Sequence, residues 1–163
     1  MKNIAAIQQR IYTLPALMHR VAAWRLTNKT VAFTNGCFDL LHEGHLYSLS
    51  QAAKEADFLI VGVNSDNSIH RLKGKDRPIN NQQSRALVLA SLLIVDAVIV
   101  FEEDTPHYLI RSLLPDVLVK GGDYTLDTIV GAMEVMQNGG RVVINPVLEG
   151  FSTTNLIQKI SGK

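Results

Sequence analysis

Short apolar segments alternate with longer amphipathic segments along most of the chain. In the longer segments, hydrophobic residues recur three and four positions apart, which is the spacing of a helix with one buried face. These segments cover residues 44–55, 81–93, 106–113 and 127–138. The apolar runs between them are rich in β-branched residues and bounded by turn residues, as buried strands are. We predict strands at Val31–Thr34, Phe58–Asn64, Ala97–Phe101, Val117–Lys120 and Arg141–Asn145.

This alternation of strands and helices favours an α/β fold. Each helical segment is long enough for a right-handed crossover between parallel strands, and such crossovers place helices on both faces of the sheet. We therefore predict a Rossmann-like, doubly wound, parallel five-stranded sheet with helices on both faces. In sheets of this kind ligands bind beyond the carboxyl ends of the strands, so the residues that follow each strand are the first candidates for a site.

The first 29 residues do not follow this alternation. They carry a helical stripe of apolar residues that Pro15 interrupts, which predicts two short helices meeting at a bend. The stripe consists of Ile4, Ile7, Ile11, Leu14, Leu17 and Val21. We predict a helical N-terminal extension at 1–29, followed by one domain at 30–163. The extension is expected to pack on that domain as an added layer, and a homodimer contact is the alternative.

Composition and charge narrow the classes of function. The chain has 163 residues, of which 47% are hydrophobic, enough for one domain with a real core. Its formal net charge of +1 argues against a broad basic surface for nucleic acid. Cys37 is the only cysteine, so we expect neither an internal disulfide nor a structural zinc site. Charged residues interrupt the N-terminal apolar positions, so we expect no signal peptide, no membrane span and a cytoplasmic location.

The segment from Asn35 to His45 is the most informative part of the sequence. It begins where the first predicted strand ends and reads Asn-Gly-Cys-Phe-Asp-Leu-Leu-His-Glu-Gly-His. Helical spacing resumes at Gly44, so His42 and His45 are predicted at a helix N-terminus, whose free N–H groups and positive dipole end favour an anion. Gly44 lets a ligand approach the backbone without meeting a side chain. The segment therefore predicts a phosphate-binding turn.

A second predicted anion site lies near the C-terminus. Ser152, Thr153 and Thr154 stand at the head of a helical stretch, where a hydroxyl can cap the helix. A cap explains one of the three residues, and three successive hydroxyls favour a second phosphate site. The chain contains neither GxGxxG nor GxxxxGK[ST], so the dinucleotide fingerprint and the P-loop are excluded as explanations.

Two further polar segments are candidates for ligand contacts. Residues 71–78 form a charged, glycine-bearing loop, for which a solvated surface and a role at phosphates both remain open. Lys120–Tyr124 follows the fourth predicted strand, and its paired glycines indicate close approach of a ligand to the backbone, with an ordinary turn as the alternative.

The motifs at the two ends together resemble one superfamily. Gly36-Cys37-Phe38-Asp39, the His-x-Gly-His run at 42–45 and the block Glu149–Thr154 resemble the signatures of cytidylyltransferase-like nucleotidyltransferases. Shorter blocks in the same order resemble its heptose 1-phosphate adenylyltransferase branch. These blocks are Val63–Asp66, Arg71–Gly74, Arg77–Pro78, Phe101–Pro106, Leu114–Asp116 and Val119–Tyr124. The resemblance covers the chain from about Thr30 to Ile160.

The resemblance implies a role for each motif. The residues implied to act on the reacting phosphates are His42, His45 and a lysine, either Lys73 or Lys75. The residues implied for the acceptor are Asp39, Arg77 and Arg85, with a metal ion as another role for the aspartate and a surface salt bridge as the alternative for Arg85. The residues implied for the nucleotide are Asn35, Gly36, Cys37, Phe38, Gly44, Lys120, Gly121, Gly122, Asp123, Ser152, Thr153 and Thr154.

The implied reaction transfers AMP from ATP to D-glycero-D-manno-heptose 1-phosphate, giving pyrophosphate and the ADP-heptose of lipopolysaccharide cores. Mg²⁺ would be bound mainly through the substrate phosphates. A separate sugar kinase is expected upstream, since 163 residues leave no room for a kinase domain. Two alternatives stay open: another phosphate acceptor, such as glycerol 3-phosphate or FMN, and a nucleotide-binding module without catalysis. Val147 argues against the glycerol-phosphate branch, which carries arginine at that position.

Overall fold

A computed structural model describes residues 3–122 and 124–146, together with positions 153 and 157. Its strands are β1 (Val31–Gly36), β2 (Phe58–Asn64), β3 (Ala97–Phe101), β4 (Val117–Gly121) and β5 (Arg141–Asn145). They form one five-stranded sheet in the order β3-β2-β1-β4-β5, and every pairing is parallel. The predicted doubly wound parallel sheet is therefore confirmed.

Helices connect the strands and precede the first of them. They are α1 (Ile4–Gln8), α2 (Leu14–Leu26), α3 (Glu43–Ala53), α4 (Asp66–Lys73), α5 (Gln82–Ser91), α6 (His107–Leu113) and α7 (Ala132–Gln137). Capping fixes where two of them begin, because the side chains of Ser65 and Asn81 accept hydrogen bonds from the N–H groups of Ser68 and Ser84. None of the helices in the described part of the chain is long and apolar enough to cross a membrane.

Side chains on successive strand residues alternate between two apolar cores. One core lies between the sheet and α2, α6 and α7, and contains Phe33 and Leu118. The other lies between the sheet and α3 and α5, and contains Val61 and Val119. Because both faces are buried, a slip of one residue in any strand would exchange its two faces, so burial fixes the register and with it the positions of the strand ends.

The N-terminal extension attaches to the outer edge of β3. The N–H of Val98 donates to the Arg10 carbonyl and the N–H of Tyr12 donates to the Val98 carbonyl, each over 2.8 Å. This short parallel bridge satisfies backbone groups that an edge strand would otherwise expose. Beyond the bridge, α2 places Leu17 and Val21 in the core between helices and sheet.

The predicted helix at 127–138 is wrong in its first half. The structure has a short 3₁₀ turn at Leu126–Thr128, and α7 begins only at Ala132. Gly131 interrupts the helix because its φ of +83° is left-handed. A side chain there would also collide with Ile110, since a Cβ would lie 2.7 Å from its Cγ2.

The predicted loop at 71–78 is also partly wrong. Its first three residues form the last turn of α4, a helix that the sequence analysis did not predict. The helix is short and polar and has only two apolar residues, Ile69 and Leu72, so in the sequence it resembles a charged loop. The Ser65 cap at its N-terminus and the burial of Ile69 stabilise it.

Candidate functional site

The candidate site lies where the strand order reverses. β1 and β4 are neighbours in the sheet, but their crossover connections leave in opposite directions, toward β2 and β5. Ligands of open α/β sheets bind in the crevice beyond the carboxyl ends of such strands. The residues that follow β1 and β4 therefore face one another across this crevice.

His42 and His45 form a stacked pair at the beginning of α3. His42 is the N-cap residue, with extended backbone, and His45 lies within the first turn of the helix. The centroids of the two imidazole rings are 3.8 Å apart and their planes are inclined by 29°. The ring of Phe38 lies tilted against His45, with a centroid separation of 5.4 Å. The two imidazole rings thus lie together at the positive end of the helix.

Both histidines are neutral near pH 7 in the ligand-free protein. Burial, together with the nearby charges of His42 and Lys73, lowers the pKa of His45 to about 4. Burial also lowers the pKa of His42. The Nδ1 atom of His45 is buried and has no hydrogen-bond partner among the described residues. A phosphate arriving at this place would favour the protonated ring, because an adjacent anion stabilises a cation.

The two candidate lysines occupy different elements. Lys73 is the last residue of α4, and Lys75 lies in the loop that follows. Both side chains are exposed. The positive charge of Lys73 contributes to the lowered pKa of His45, so Lys73 lies close enough to the histidine pair to act on it electrostatically.

Asp39 holds the loop between α4 and α5. Its side chain is only 3% exposed and accepts hydrogen bonds from Arg77 Nε at 2.7 Å and from the N–H groups of Ile79 and Asn80, each at 2.9 Å. Burial alone would raise the pKa of Asp39, but the hydrogen bonds from Asn80, Ile79 and Arg77 outweigh it and lower the pKa below its ordinary value. Direct ligation of a metal by this carboxylate would require breaking these bonds.

Arg85 is a buried support for the β1 loop. It is 2% exposed and donates to the backbone oxygens of Asn80 and Cys37 and to the carboxylate of Asp66. All three nitrogens of its guanidinium are therefore engaged, which differs from a surface salt bridge. Arg77 is different, because its Nη2 atom is buried but has no hydrogen-bond partner in the described part of the chain.

Lys120, at the end of β4, reaches across to β1. Its Nζ donates to Asn35 Oδ1 over 2.6 Å, and burial lowers its pKa. Gly121 is the next residue, and a Cβ there would lie 3.1 Å from Ser48 Oγ on α3. Gly122 follows with a φ of +120°. The two glycines therefore allow β4 to end against α3 and turn sharply at the crevice.

Several predicted site residues lie outside the described residues. These are Asp123, Ser152 and Thr154. Thr153, the described member of the hydroxyl run, has helical backbone and a half-buried side chain. Within the described part of the chain, no group of three His, Cys, Asp or Glu side chains is arranged to hold a metal ion.

Asn145, the last residue of β5, is a buried polar residue at this edge of the sheet that belongs to none of the sequence motifs. Its side chain is 5% exposed, and its Nδ2 atom is buried without a hydrogen-bond partner among the described residues. Asparagine is common where a strand gives way to a turn, so its type and position carry no signal in the sequence. Only the packing of β5 against the rest of the fold reveals it.

Comparison with known proteins identifies a family. The family model described as "Cytidylyltransferase-like" matches residues 33–159. The bifunctional protein HldE of Mesorhizobium japonicum is 57% identical over 140 residues, covering 86% of this chain and 28% of that protein. The bifunctional protein HldE of Rhodospirillum rubrum is 56% identical over 161 residues, covering 99% of this chain and 32% of that protein. The chain thus spans about a third of the length of these relatives.

Two solved structures share the fold. The lipopolysaccharide core biosynthesis protein from Thermoplasma volcanium aligns with a TM-score of 0.60 at 29% identity, covering 74% of this chain and 97% of that one. The pantoate-beta-alanine ligase from Francisella tularensis, solved with an ATP analogue and beta-alanine, aligns with a TM-score of 0.62 over 90% of this chain and 72% of that one. Its sequence is 15% identical, so this second likeness concerns the fold alone.

Proposed function

This chain belongs to the cytidylyltransferase-like family, and we propose that it transfers AMP from ATP to D-glycero-D-manno-heptose 1-phosphate. The products are ADP-heptose and pyrophosphate. The observation that carries the proposal is the stacked pair of neutral histidines, His42 and His45, at the N-terminus of α3. The heptose-branch motifs, the HldE relatives and the likeness to a lipopolysaccharide core biosynthesis protein support the choice of acceptor.

The proposed reaction is a single in-line displacement. An oxygen of the sugar 1-phosphate attacks the α-phosphorus of ATP, a new P–O bond forms, and the bond to the bridging oxygen of the leaving pyrophosphate breaks. A phosphate monoester has a second pKa of about 6, so the attacking oxygen is already an anion near neutral pH. No general base is required. Catalysis then consists of holding two polyanions together and stabilising the charge that grows in the transition state.

His42 and His45 would supply hydrogen bonds to that growing charge. They stand at a helix N-terminus, where free N–H groups and the helix dipole already favour phosphate oxygens. A neutral ring donates one N–H, and it gains a proton more readily as the phosphates approach. Lys73, whose positive charge already lowers the pKa of His45, would stabilise the negative charge of the same phosphates. We therefore favour Lys73 over Lys75 for this role.

The loop that follows α4 would bind the acceptor. Asp39 fixes this loop through Arg77 Nε and two backbone N–H groups, which leaves the buried Nη2 of Arg77 as a donor for the sugar phosphate. Arg85 contributes indirectly. Its hydrogen bonds to the backbone oxygens of Asn80 and Cys37 hold the loop between α4 and α5 against the loop that follows β1. The negative charge of the acceptor would be met by an arginine that is already oriented.

The nucleotide would lie toward the opposite side, over the ends of β1 and β4. Asn35 and Lys120 are bonded to each other there, and Gly121 and Gly122 keep the backbone free of side chains. The predicted contacts of Gly36, Cys37, Phe38, Gly44 and the hydroxyl run at 152–154 belong to the same proposal. Mg²⁺ enters as part of the MgATP substrate and neutralises phosphate charge there.

The test is pyrophosphate release by the purified protein with Mg²⁺. ATP and CTP are each combined with D-glycero-D-manno-heptose 1-phosphate, glycerol 3-phosphate or FMN. Release only with ATP and the heptose phosphate is the expected result. Release with another pair would retain the reaction type and overturn the substrates, and no release with any pair would leave a nucleotide-binding module as the conclusion.

The proposal also assigns a place in a reaction sequence. A sugar kinase must supply the heptose 1-phosphate, and a transferase must consume ADP-heptose to build the lipopolysaccharide core. The acceptor, ATP and the product are all cytoplasmic metabolites in this scheme, so we assign the chain to the cytoplasm.

A further inference from the structure

We infer that Asn145 is a nucleotide-binding residue, and that its side-chain amide donates a hydrogen bond to the nucleoside part of the triphosphate. This inference rests on the proposed function, because it takes a nucleoside triphosphate as the ligand. Asn145 belongs to none of the motifs in the sequence. It is identified by its place in the fold and by an unused donor.

The face of β5 on which Asn145 lies follows from its neighbours. Arg141, at the start of β5, bonds to the carboxylate and carbonyl of Glu55, just beyond the end of α3. Val143 packs in the core between the sheet and α3. Because strand side chains alternate with a period of two, Asn145 lies on the same face as Arg141 and Val143. It therefore faces the side of the sheet covered by α3.

The level of Asn145 along α3 follows from the register of the sheet. Asn145 pairs with Gly121, and a Cβ on Gly121 would lie 3.1 Å from Ser48 Oγ. Ser48 is one helical turn from His45, so α3 begins near the carboxyl end of β5 and ends near its start. Asn145 consequently lies beside the N-terminal half of α3, at the same edge of the sheet as the histidine pair.

The amide of Asn145 carries a donor that the ligand-free protein does not use. Its side chain is 5% exposed, and Nδ2 has no partner among the described residues, although the backbone oxygen of Asn145 accepts from the Gly122 N–H over 3.2 Å. Most buried polar side-chain atoms in folded proteins have a partner, and an unsatisfied donor destabilises the fold. A buried donor without an acceptor, beside a ligand crevice, indicates that the acceptor belongs to the ligand.

The nucleoside is the part of the ligand that suits this donor. Among the described residues, the groups proposed for the reacting phosphates are His42, His45 and Lys73, on the β1 side of the crevice. Asn145 lies two strands away, past β4, where a nucleotide held by its phosphates at α3 would extend its sugar and base. A neutral amide matches the uncharged acceptors found there, which are ring nitrogens, carbonyl oxygens and ribose hydroxyls.

The test compares ligand binding and stability in Asn145→Leu and Asn145→Ser. Leucine has the same branching and the same number of side-chain heavy atoms as asparagine and replaces an unsatisfied buried donor by an apolar group, so the ligand-free Asn145→Leu protein should melt close to the wild-type temperature. Calorimetric titration should show a Kd for ATP about tenfold higher in both variants. Binding of inorganic tripolyphosphate should be unchanged. Asn138→Leu, at an exposed asparagine after α7, is the matched control and should bind ATP like the wild type.

The other outcomes distinguish failure of this inference from failure of the proposed reaction. Unchanged ATP binding in both Asn145 variants would overturn it, and an equal loss of tripolyphosphate binding would overturn the assignment to the nucleoside. A large loss of stability in Asn145→Leu would assign Asn145 to the fold instead. Wild-type protein that binds ATP but releases no pyrophosphate would overturn the proposed reaction and leave the Asn145 comparison valid, whereas failure of the wild type to bind ATP would overturn both.

Discussion

The imidazole rings of His42 and His45 stack with their centroids 3.8 Å apart. Two positive charges at that separation repel by about 4 kcal/mol at an effective dielectric constant near 20. The two rings are therefore not both positively charged in the absence of an anion, which agrees with the lowered pKa of both rings. In the proposed reaction, a bound triphosphate would supply the negative charge that offsets this repulsion, so the pair would become a strong donor set only when the substrate is present.

Replacement of His45 by alanine should lower kcat by a few powers of ten while the protein stays folded. A preorganised donor to a transition-state oxyanion contributes roughly 3–4 kcal/mol, which corresponds to that loss. Steady-state pyrophosphate release measures kcat, and circular dichroism checks the fold. His19→Ala, at an exposed position on α2, is the matched control and should retain full activity. Near-normal turnover in His45→Ala would remove His45 from the reaction.

Stability should fall as the pH is lowered from about 6.5 to about 4. The pKa of His45 is about 4 in the folded protein against an ordinary value of 6.5, so between these values the unfolded chain binds the extra proton. His45→Gln removes this titration. After allowance for partial solvent screening, the wild type should lose on the order of 2 kcal/mol more than the variant across this window. Urea unfolding at several pH values measures the difference, and parallel pH profiles would contradict the burial of a neutral His45.

Asp39 and Arg77 should be energetically coupled. Asp39→Asn and Arg77→Met each disturb the loop between α4 and α5, and the double variant should be less impaired than the sum of the two. Because the side chains are in direct contact at 2.7 Å, we expect a coupling energy above about 1 kcal/mol in the free energy of unfolding. Both single variants should also raise KM for the sugar phosphate more than KM for ATP. Additive effects on stability would show that Asp39 does not hold the loop through Arg77.

Arg85→Met should destabilise the protein by about 3 kcal/mol, since it leaves two backbone oxygens and the Asp66 carboxylate without their donor. Thermal unfolding measures this change. Arg111→Met, at an exposed arginine on α6, is the control and should have little effect. An equally small effect of Arg85→Met on stability would mean that water replaces the guanidinium at no cost in the free energy of unfolding. Direct binding of the acceptor would then be the better interpretation of Arg85.

The sequence predicted the sheet well because its strands are buried on both faces. Such strands appear as continuous apolar runs between turn residues, as at β2 and β3, and their bounds were found as predicted. Helices with few apolar positions were predicted less well. α4 was missed because its apolar positions are few, and the start of α7 was misplaced because a left-handed glycine, Gly131, interrupts an otherwise helical pattern.

The sequence predicted the part of the candidate site that is formed by one continuous segment of the chain. Asn35 to His45 is one continuous segment, so the strand end, the turn and the helix start can be recognised from neighbouring residues alone. The roles of Asp39 and Arg85 could not be recognised in this way, because Asp39 bonds to Arg77, 38 positions away, and Arg85 bonds to Cys37, 48 positions away. The family resemblance implied acceptor binding for both, and their contacts show that both hold the loops around the crevice.

What the sequence by itself determined is the alternation of strands and helices and the place of His42 and His45 at a turn into a helix, since both follow from local periodicity and local backbone chemistry. What only the tertiary structure decided is which distant groups come together: Lys120 with Asn35, Asp39 with Arg77, and Asn145 with Gly121 beside α3. The physical reason is that strand order, register and the burial of a donor depend on long-range packing, which leaves no periodic pattern in the chain.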